Sequence, residues 1–433
     1  MSKPAPPPRE GLPAYTWYAA ILLTLVSVVN SMDRTAFSVL APAIRHEIHL
    51  TDAELGLLAG FGFSLFYAVC GIPISRWSDR GVRRNLIALA IAVWSLMTAL
   101  SGASQNIWQL FLARGGVGAA EAGSIPAAQS LICDLVPLRK RFGVFALHSS
   151  GVLIGAMAGI WVCGLLADRV GWRLVFVLLG IPGLAIAALV RLTLKEPVRG
   201  AMEVGAYTET RTTLGATVSA MWRSRTYRLL ALVVVTYAVT QSAMAQWWPS
   251  FYVRTYDLKM SQIGLQLGLA LGFAPGAGLL AGGWLANRLA ARDVRLPLIL
   301  GAVGTLVALP VVLATLFSPN PSISFALLGA VGVLCNLAYG SIVSCMTGVL
   351  VPHMRATAQS IVTFVVSLVG YGLGPLLVGV VSDLIAPSFG VLSLRYALVV
   401  PALLLPIMSV GFWMSSRHAT AELAARSPID LAM

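Results

Sequence analysis

Apolar runs of about 20 residues recur from one end of this chain to the other, each long enough to cross a bilayer as a helix. Lipid offers no partner to a free backbone amide or carbonyl. Long apolar runs without strand alternation must therefore be helical. Of 433 residues 58% are hydrophobic and 11% charged, whereas a soluble chain carries about 25% charged residues. The fold class expected is an all-α polytopic membrane protein.

Twelve spans are expected, near 15–40, 53–75, 85–104, 107–134, 142–167, 173–194, 227–253, 262–289, 296–317, 322–350, 357–385 and 391–415. The first run is too long for a signal-peptide core. Residues 1–14, rich in proline, read as a disordered cytoplasmic tail, and 416–433 as a second tail. With both termini cytoplasmic, 22 of the 30 Lys and Arg residues fall in cytoplasmic segments and six in external loops, the split that the positive-inside rule requires. The location expected is a bacterial inner membrane. The net charge of +13 is scattered over short loops, unlike the concentrated face of a nucleic-acid binder.

Residues 195–226 are the longest polar stretch. Within them Leu214, Val218, Met221 and Trp222 follow helical spacing and read as an amphipathic surface helix. The expectation is thus a six-helix bundle over 15–194, this linker, and a second bundle over 227–415. Internal marks repeat across the halves: Ser75-Arg-Trp-Ser-Asp79-Arg80 after span 2 and Gly283-Trp-Leu-Ala-Asn287-Arg288 after span 8; Gly164-Leu-Leu-Ala-Asp168 and Gly379-Val-Val-Ser-Asp383 ending spans 5 and 11. Parallel six-helix repeats belong to secondary transporters. The five cysteines lie in apolar segments without metal-ligand or disulfide spacing. No cofactor or metal is expected, and no nucleophile–base cluster or nucleotide motif suggests an enzyme or a pump.

Spans 1 and 4 hold the chemistry. Asp33, Arg34, Arg114 and Glu121 are ionisable groups inside apolar segments, and such groups mark functional sites by default. Arg114 and Glu121 are seven residues apart, about two helical turns, so they share a face. Asp33 lies roughly 10 Å and Arg114 roughly 8 Å from the outer ends of their spans. At matching depth the two are expected to pair. Separating spans 1 and 4 removes the guanidinium that favours the ionised carboxyl, and Asp33 then takes up a proton. Arg114, which keeps its charge, is free to turn to Glu121 or to an anionic substrate. Asp33, Arg114 and Glu121 are the expected proton-coupling set. Arg34 either faces the cavity or snorkels outward. His148 reads as a packed histidine before a proton carrier.

Spans 7–12 contain no acidic residue in their middles. Their polar groups are neutral, which leaves a charged first half facing an apolar second half. Expected substrate contacts are Asn30, Arg34, Phe37 and His148 from the first half, with Gln241, Asn336, Tyr339 and Tyr371 from the second. Trp247 and Trp248 read as an interfacial aromatic belt. Gly151, Gly155 and Gly159 favour close helix packing.

The loop after span 2 resembles the signature Gly-x-x-x-Asp-Arg-x-Gly-Arg-Arg of the major facilitator superfamily. Asp79, Arg80, Arg83 and Arg84 match; Ser75 and Val82 replace the two glycines. Asn30-Ser-Met-Asp33-Arg34, the Arg114–Glu121 stretch, Lys195-Glu-Pro-Val-Arg-Gly200 and Gly374-Pro375 through Asp383 resemble the Spinster branch. Gly151, Gly155 and Gly159 resemble the superfamily's antiporter motif, but its Gly-Pro pair is missing, which leaves symport and antiport open. The resemblance implies two bundles rocking around a midplane site. It implies a conformational gate at Asp79, Arg80, Arg83 and Arg84, with Asn287 and Arg288 opposite. It further implies an amphiphilic lipid substrate of lysophospholipid or sphingoid type, coupling to protons in some members, and function as a monomer. A small organic anion or a drug is the alternative cargo; a membrane receptor or enzyme is a distant third.

Overall fold

The computed structural model describes residues 12–199 and 213–424. Residues 1–11 of the tail expected over 1–14, the linker segment 200–212 and residues 425–433 of the tail expected over 416–433 lie outside the described residues, and residues 416–424 of that second tail continue the last helix. Every regular element described is helical: α1 (Ala14–Ile48), α2 (Asp52–Ala59), α3 (Phe61–Arg80), α4 (Arg83–Ala103), α5 (Ile107–Glu121), α6 (Ser124–Leu135), α7 (Leu138–Thr193), α8 (Leu214–Arg223), α9 (Arg225–Tyr256), α10 (Met260–Gly268), α11 (Ala274–Ala290), α12 (Leu296–Phe317), α13 (Pro321–Asn336), α14 (Tyr339–Gly348), α15 (Pro352–Val365), α16 (Gly372–Phe389), α17 (Ser393–Ala397), α18 (Val399–Ala402) and α19 (Leu404–Ala424).

Among the described residues, nine helical stretches are long and apolar enough to cross a bilayer. Two of them, Gly143–Thr193 and Thr357–Glu422, run for 51 and 66 residues, far beyond the ~20 that one crossing needs. Gly171 (φ 76°) breaks the first and Gly390 (φ 53°) the second. Both φ values lie in the left-handed region that glycine tolerates and branched residues do not.

Several expected spans are interrupted, and proline explains most of the breaks. The single span expected over 107–134 is two helices, α5 and α6, separated at Ala122–Gly123. Pro126 has no amide hydrogen for the Ala122 carbonyl and its ring crowds that oxygen, so the helix stops one turn before it. In the second half, Leu269–Phe273 and Val366–Tyr371 are π-helical. Each contains the residue four before a proline, Leu271 before Pro275 and Tyr371 before Pro375. Widening the turn relieves the clash that a proline makes with that carbonyl.

Inside the first half, α1 lies along α7. A β-carbon at Gly155 would collide with the Val28 carbonyl, so the glycine row of α7 serves close packing, as its spacing suggests. The two halves meet where α2 and α3 pack on α16 and its π-turn, where α7 packs on α10, and where α1 packs on α9. Trp247 and Trp248 depart from expectation. Both are fully buried rather than interfacial, and the Trp247 indole donates to the Pro375 carbonyl at 2.9 Å. In α8, Leu214, Val218 and Trp222 are exposed to the outside of the protein.

Candidate functional site

A cavity of about 470 Å³ lies between the halves, within the ~300–1,000 Å³ of small-molecule sites. Its first-half wall carries Arg34 of α1, Phe63 and Tyr67 of α3, and Arg114 of α5. Its second-half wall carries Gln246, Leu271, Tyr339, Gln359, Ser367 and Tyr371 and, among the described residues, no charged side chain. The charge asymmetry expected from the sequence is present in the lining.

The pairing of the four intramembrane charges differs from expectation. Arg34 Nε donates to Glu121 Oε2 at 2.7 Å. Glu121 is completely buried, whereas the Arg34 side chain is 36% exposed toward the cavity. Asp33 does not form the expected ion pair with Arg114; its Oδ1 accepts from Thr98 Oγ1 of α4 at 2.8 Å. Depth alone suggested the Asp33–Arg114 pair, but neighbouring positions on a helix point about 100° apart. That rotation turns Asp33 toward α4 and leaves the cavity face to Arg34. Arg114 instead lies over the rings of Phe37 and Phe63, at 4.9 and 5.7 Å from their centroids. Such cation–π contacts hold a guanidinium without consuming its hydrogen-bond donors. Arg34 also faces Phe63 and Tyr67.

The helices deliver these groups through close packing. A β-carbon at Gly118 would collide with the Phe63 carbonyl, so α5 sits against α3 and both guanidinium groups share the Phe63 ring. Several polar atoms here have no hydrogen-bond partner among the described residues: Arg34 Nη2, Arg114 Nε and Glu121 Oε1. Unsatisfied buried groups are costly.

Of the eight expected substrate contacts, Arg34, Tyr339 and Tyr371 line the cavity, whereas Asn30, Phe37, His148, Gln241 and Asn336 do not. His148 is buried with its Nδ1 3.2 Å from Ser27 Oγ, in agreement with a packed histidine. Phe37 supports Arg114 from behind. Asn336 accepts from Tyr237 Oη at 2.9 Å and donates to the Gly332 carbonyl at 2.8 Å, so its amide is occupied. Tyr67 and Gln359 were not foreseen. Tyr67 is one turn from Phe63 on the same face, a spacing that the apolar composition of span 2 conceals.

One end of the molecule is locked by contacts between the halves. Asp52, at the start of α2, receives a two-pronged contact from Arg254 of α9, at 2.6 and 2.7 Å. Ser382 Oγ donates to it at 2.7 Å, and Arg45 lies within ion-pair distance at 3.0 Å. The repeated aspartates close the same end. Asp383 accepts the backbone amides of Asp52 and Ala53 at 3.1 and 2.7 Å. Asp168 accepts Ser261 N and Oγ, at 3.0 and 2.6 Å, at the start of α10. Each aspartate thus caps the first turn of a helix in the opposite half, where free amides and the helix dipole favour an anion. Carbonyls of those same first turns approach Gly379 and Gly164 so closely that a β-carbon at either would collide.

The signature loop at the other end is held by residues of the first half and of the start of the linker. Arg83 is buried and binds Glu196 Oε1 at 2.8 Å, Ser130 at 2.9 Å and the Asp134 carboxylate. Glu196 also accepts the Arg84 amide at 2.9 Å, while Arg199 donates to the Ser78 and Gly81 carbonyls, both at 2.7 Å. The Asp79 side chain lies outside the described residues. Arg80, Asn287 and Arg288 are exposed, and Arg288 stacks on its own Trp284 at 3.8 Å.

Comparison with known proteins matches this arrangement. The family model for the Major Facilitator Superfamily matches residues 23–375. An MFS-type efflux pump of Mycolicibacterium smegmatis is 31% identical over 94% of both chains. Protein spinster homolog 1 of Xenopus tropicalis is 27% identical, covering 92% of this chain and 79% of its own. A bacterial homologue of the human lysosomal transporter Spinster, crystallised in an inward-facing and unoccupied conformation, superposes with a TM-score of 0.86 at 28% identity, covering 95% of this chain and 99% of the other. The chain belongs to the major facilitator superfamily of secondary transporters and is similar in sequence and fold to Spinster proteins.

Proposed function

We propose that the chain makes twelve crossings as two six-helix bundles, 15–194 and 227–415, and moves an amphiphile with an anionic head and an apolar tail in exchange for, or together with, protons. The observation that carries this reading is the cavity lining, with two guanidinium groups on one wall and neutral groups on the other. The head binds Arg34 and Arg114; the tail lies along the second bundle. The Lys and Arg distribution supports cytoplasmic termini in a bacterial inner membrane. It puts the end closed by Asp52, Asp168 and Asp383 outside, so the described state opens inward.

Coupling follows from the Arg34–Glu121 pair. An anionic head that engages Arg34 competes with Glu121 for it. Glu121, completely buried, then carries a charge without a counter-ion, an arrangement that burial penalises heavily. It takes up a proton, and the neutral acid stays in the wall. Deprotonation returns Glu121 to Arg34 and expels the head. Asp33, bound to Thr98 in the same bundle, is the second proton-carrying group of this scheme. Arg114 supplies a standing positive charge throughout.

Counterflow of a labelled lysophospholipid in proteoliposomes tests the substrate. The expected result is saturable uptake that Arg34→Ala and Arg114→Ala each reduce strongly. Absence of lysolipid counterflow together with efflux of a small organic anion or a drug would move the assignment to the alternative cargo, which the similarity to the efflux pump supports. The protein is expected to act as a monomer.

A further inference from the structure

Asp33 faces a second cavity, separate from the one lined by Arg34 and Arg114. It measures about 30 Å³ and is bounded by Val29, Met32 and Asp33 of α1, Trp94, Ser95 and Thr98 of α4, and Leu179 and Pro182 of α7. The polar members are all deeply buried: Trp94 and Ser95 are 1% exposed, Thr98 2% and Asp33 3%. Three polar atoms of these lining residues have no hydrogen-bond partner among the described residues: Asp33 Oδ2, Trp94 Nε1 and Ser95 Oγ. A water needs roughly 10–15 Å³ and two to four polar partners, and both conditions are met with room for about two molecules.

We propose that this cavity is a dedicated hydration site for Asp33. One water accepts from the Trp94 indole and donates to Asp33 Oδ2 and to Ser95 Oγ. With Thr98 on Oδ1, both carboxylate oxygens are then satisfied from α4, without help from Arg114. A small cation such as sodium would find oxygen ligands in Asp33, Ser95 and Thr98, but the indole donates only, and its positive N–H end opposes a cation. The packing also fits: a β-carbon at Gly183 of α7 would collide with Ser95 Oγ, so glycine there leaves the hydroxyl its place beside the cavity.

The site changes how Asp33 takes part in transport. Its hydrogen-bond partners belong to its own half and face away from the substrate cavity. Asp33 can gain or lose a proton while the substrate cavity is occupied or closed. The charged and titratable groups around it are Arg34 of α1, Arg114 and Glu121 of α5, and Cys163 of α7. This consequence rests on the proton-coupled reading above; the water itself does not.

A density map near 2 Å resolution and difference infrared spectroscopy in H₂¹⁸O test the site. The expected map shows density about 2.7–3.0 Å from Asp33 Oδ2, Trp94 Nε1 and Ser95 Oγ. The expected spectrum has a water band that Trp94→Phe, which keeps the ring and removes the N–H, abolishes or shifts. Ser95→Ala gives the same readout should the tryptophan variant not fold. A map without density at this place overturns the proposal, as does density at shorter, cation-like distances that vanishes when sodium is withdrawn. Lysolipid counterflow without pH dependence would remove the proton-coupled reading and leave the water untouched, so the two ideas fail separately.

Discussion

Two arginine–carboxylate pairs in this molecule share a distance and differ in everything else. Arg254 grips Asp52 with two nitrogens, across the two halves, and Ser382 and Arg45 complete the carboxylate's surroundings. Arg34 touches Glu121 with one nitrogen, inside one half, and leaves Arg34 Nη2 and Glu121 Oε1 without protein partners. A satisfied pair between moving bodies is a latch. An under-satisfied pair inside one body, with one member open to a cavity, is suited to exchanging its partner. In the proposed function, the same chemical elements serve gating in one place and coupling in the other.

The largest effect is expected at Arg34. Arg34→Ala is expected to reduce lysolipid uptake about 100-fold, because it removes both the head-group ligand and the counter-charge of Glu121. Thermal stability should change little, since Glu121 is then neutralised by a proton. Glu121→Gln should flatten the pH dependence of uptake while substrate still binds, as seen in equilibrium binding across the pH range. If the variant kept the wild-type pH profile, Glu121 would not be the coupling group.

At the latch the expected effects run the other way. Asp52→Asn should leave binding and the pH profile alone but shift the conformational equilibrium roughly 30-fold toward opening at this end. That corresponds to about 2 kcal/mol, below the ~3–5 kcal/mol typical of an orphaned buried charge. External labelling of a cysteine introduced at Ser64, on the cavity wall, reads the shift. Asp383→Asn and Asp168→Asn should each give a smaller change, several-fold, and similar to one another because they cap equivalent helices. Unequal effects would show that the duplicated marks do not share the closing role. Ser382→Ala, which removes one hydrogen bond worth about 1 kcal/mol, is expected to be the mildest.

The sequence reveals the all-α membrane class and the ionisable residues because each is written in composition along one dimension. The repeated Gly-x-x-x-Asp marks are visible as repeats, but their role as caps on α2 and α10 is not. That role depends on which helix of the other half arrives opposite, and no local pattern encodes it. The misplaced pair has a related cause. Depth is readable from position in a span, whereas azimuth depends on the packing of α1 against α4 and α7. A rotation of one residue sends Asp33 to Thr98 and Arg34 to Glu121. The break in span 4 and the π-turns lie four residues before Pro126, Pro275 and Pro375, but Pro42, Pro73, Pro249 and Pro310 sit in unbroken helices, so proline marks a candidate break and packing decides it.

The exchange of partners at Arg34 is tested most directly by substrate-induced proton movement, followed with a pH dye inside proteoliposomes. Wild-type protein is expected to move protons when lysolipid is added, and Glu121→Gln to move fewer per lipid transported while Asp52→Asn retains the wild-type ratio. An unchanged ratio of protons to lipid in Glu121→Gln would contradict the account.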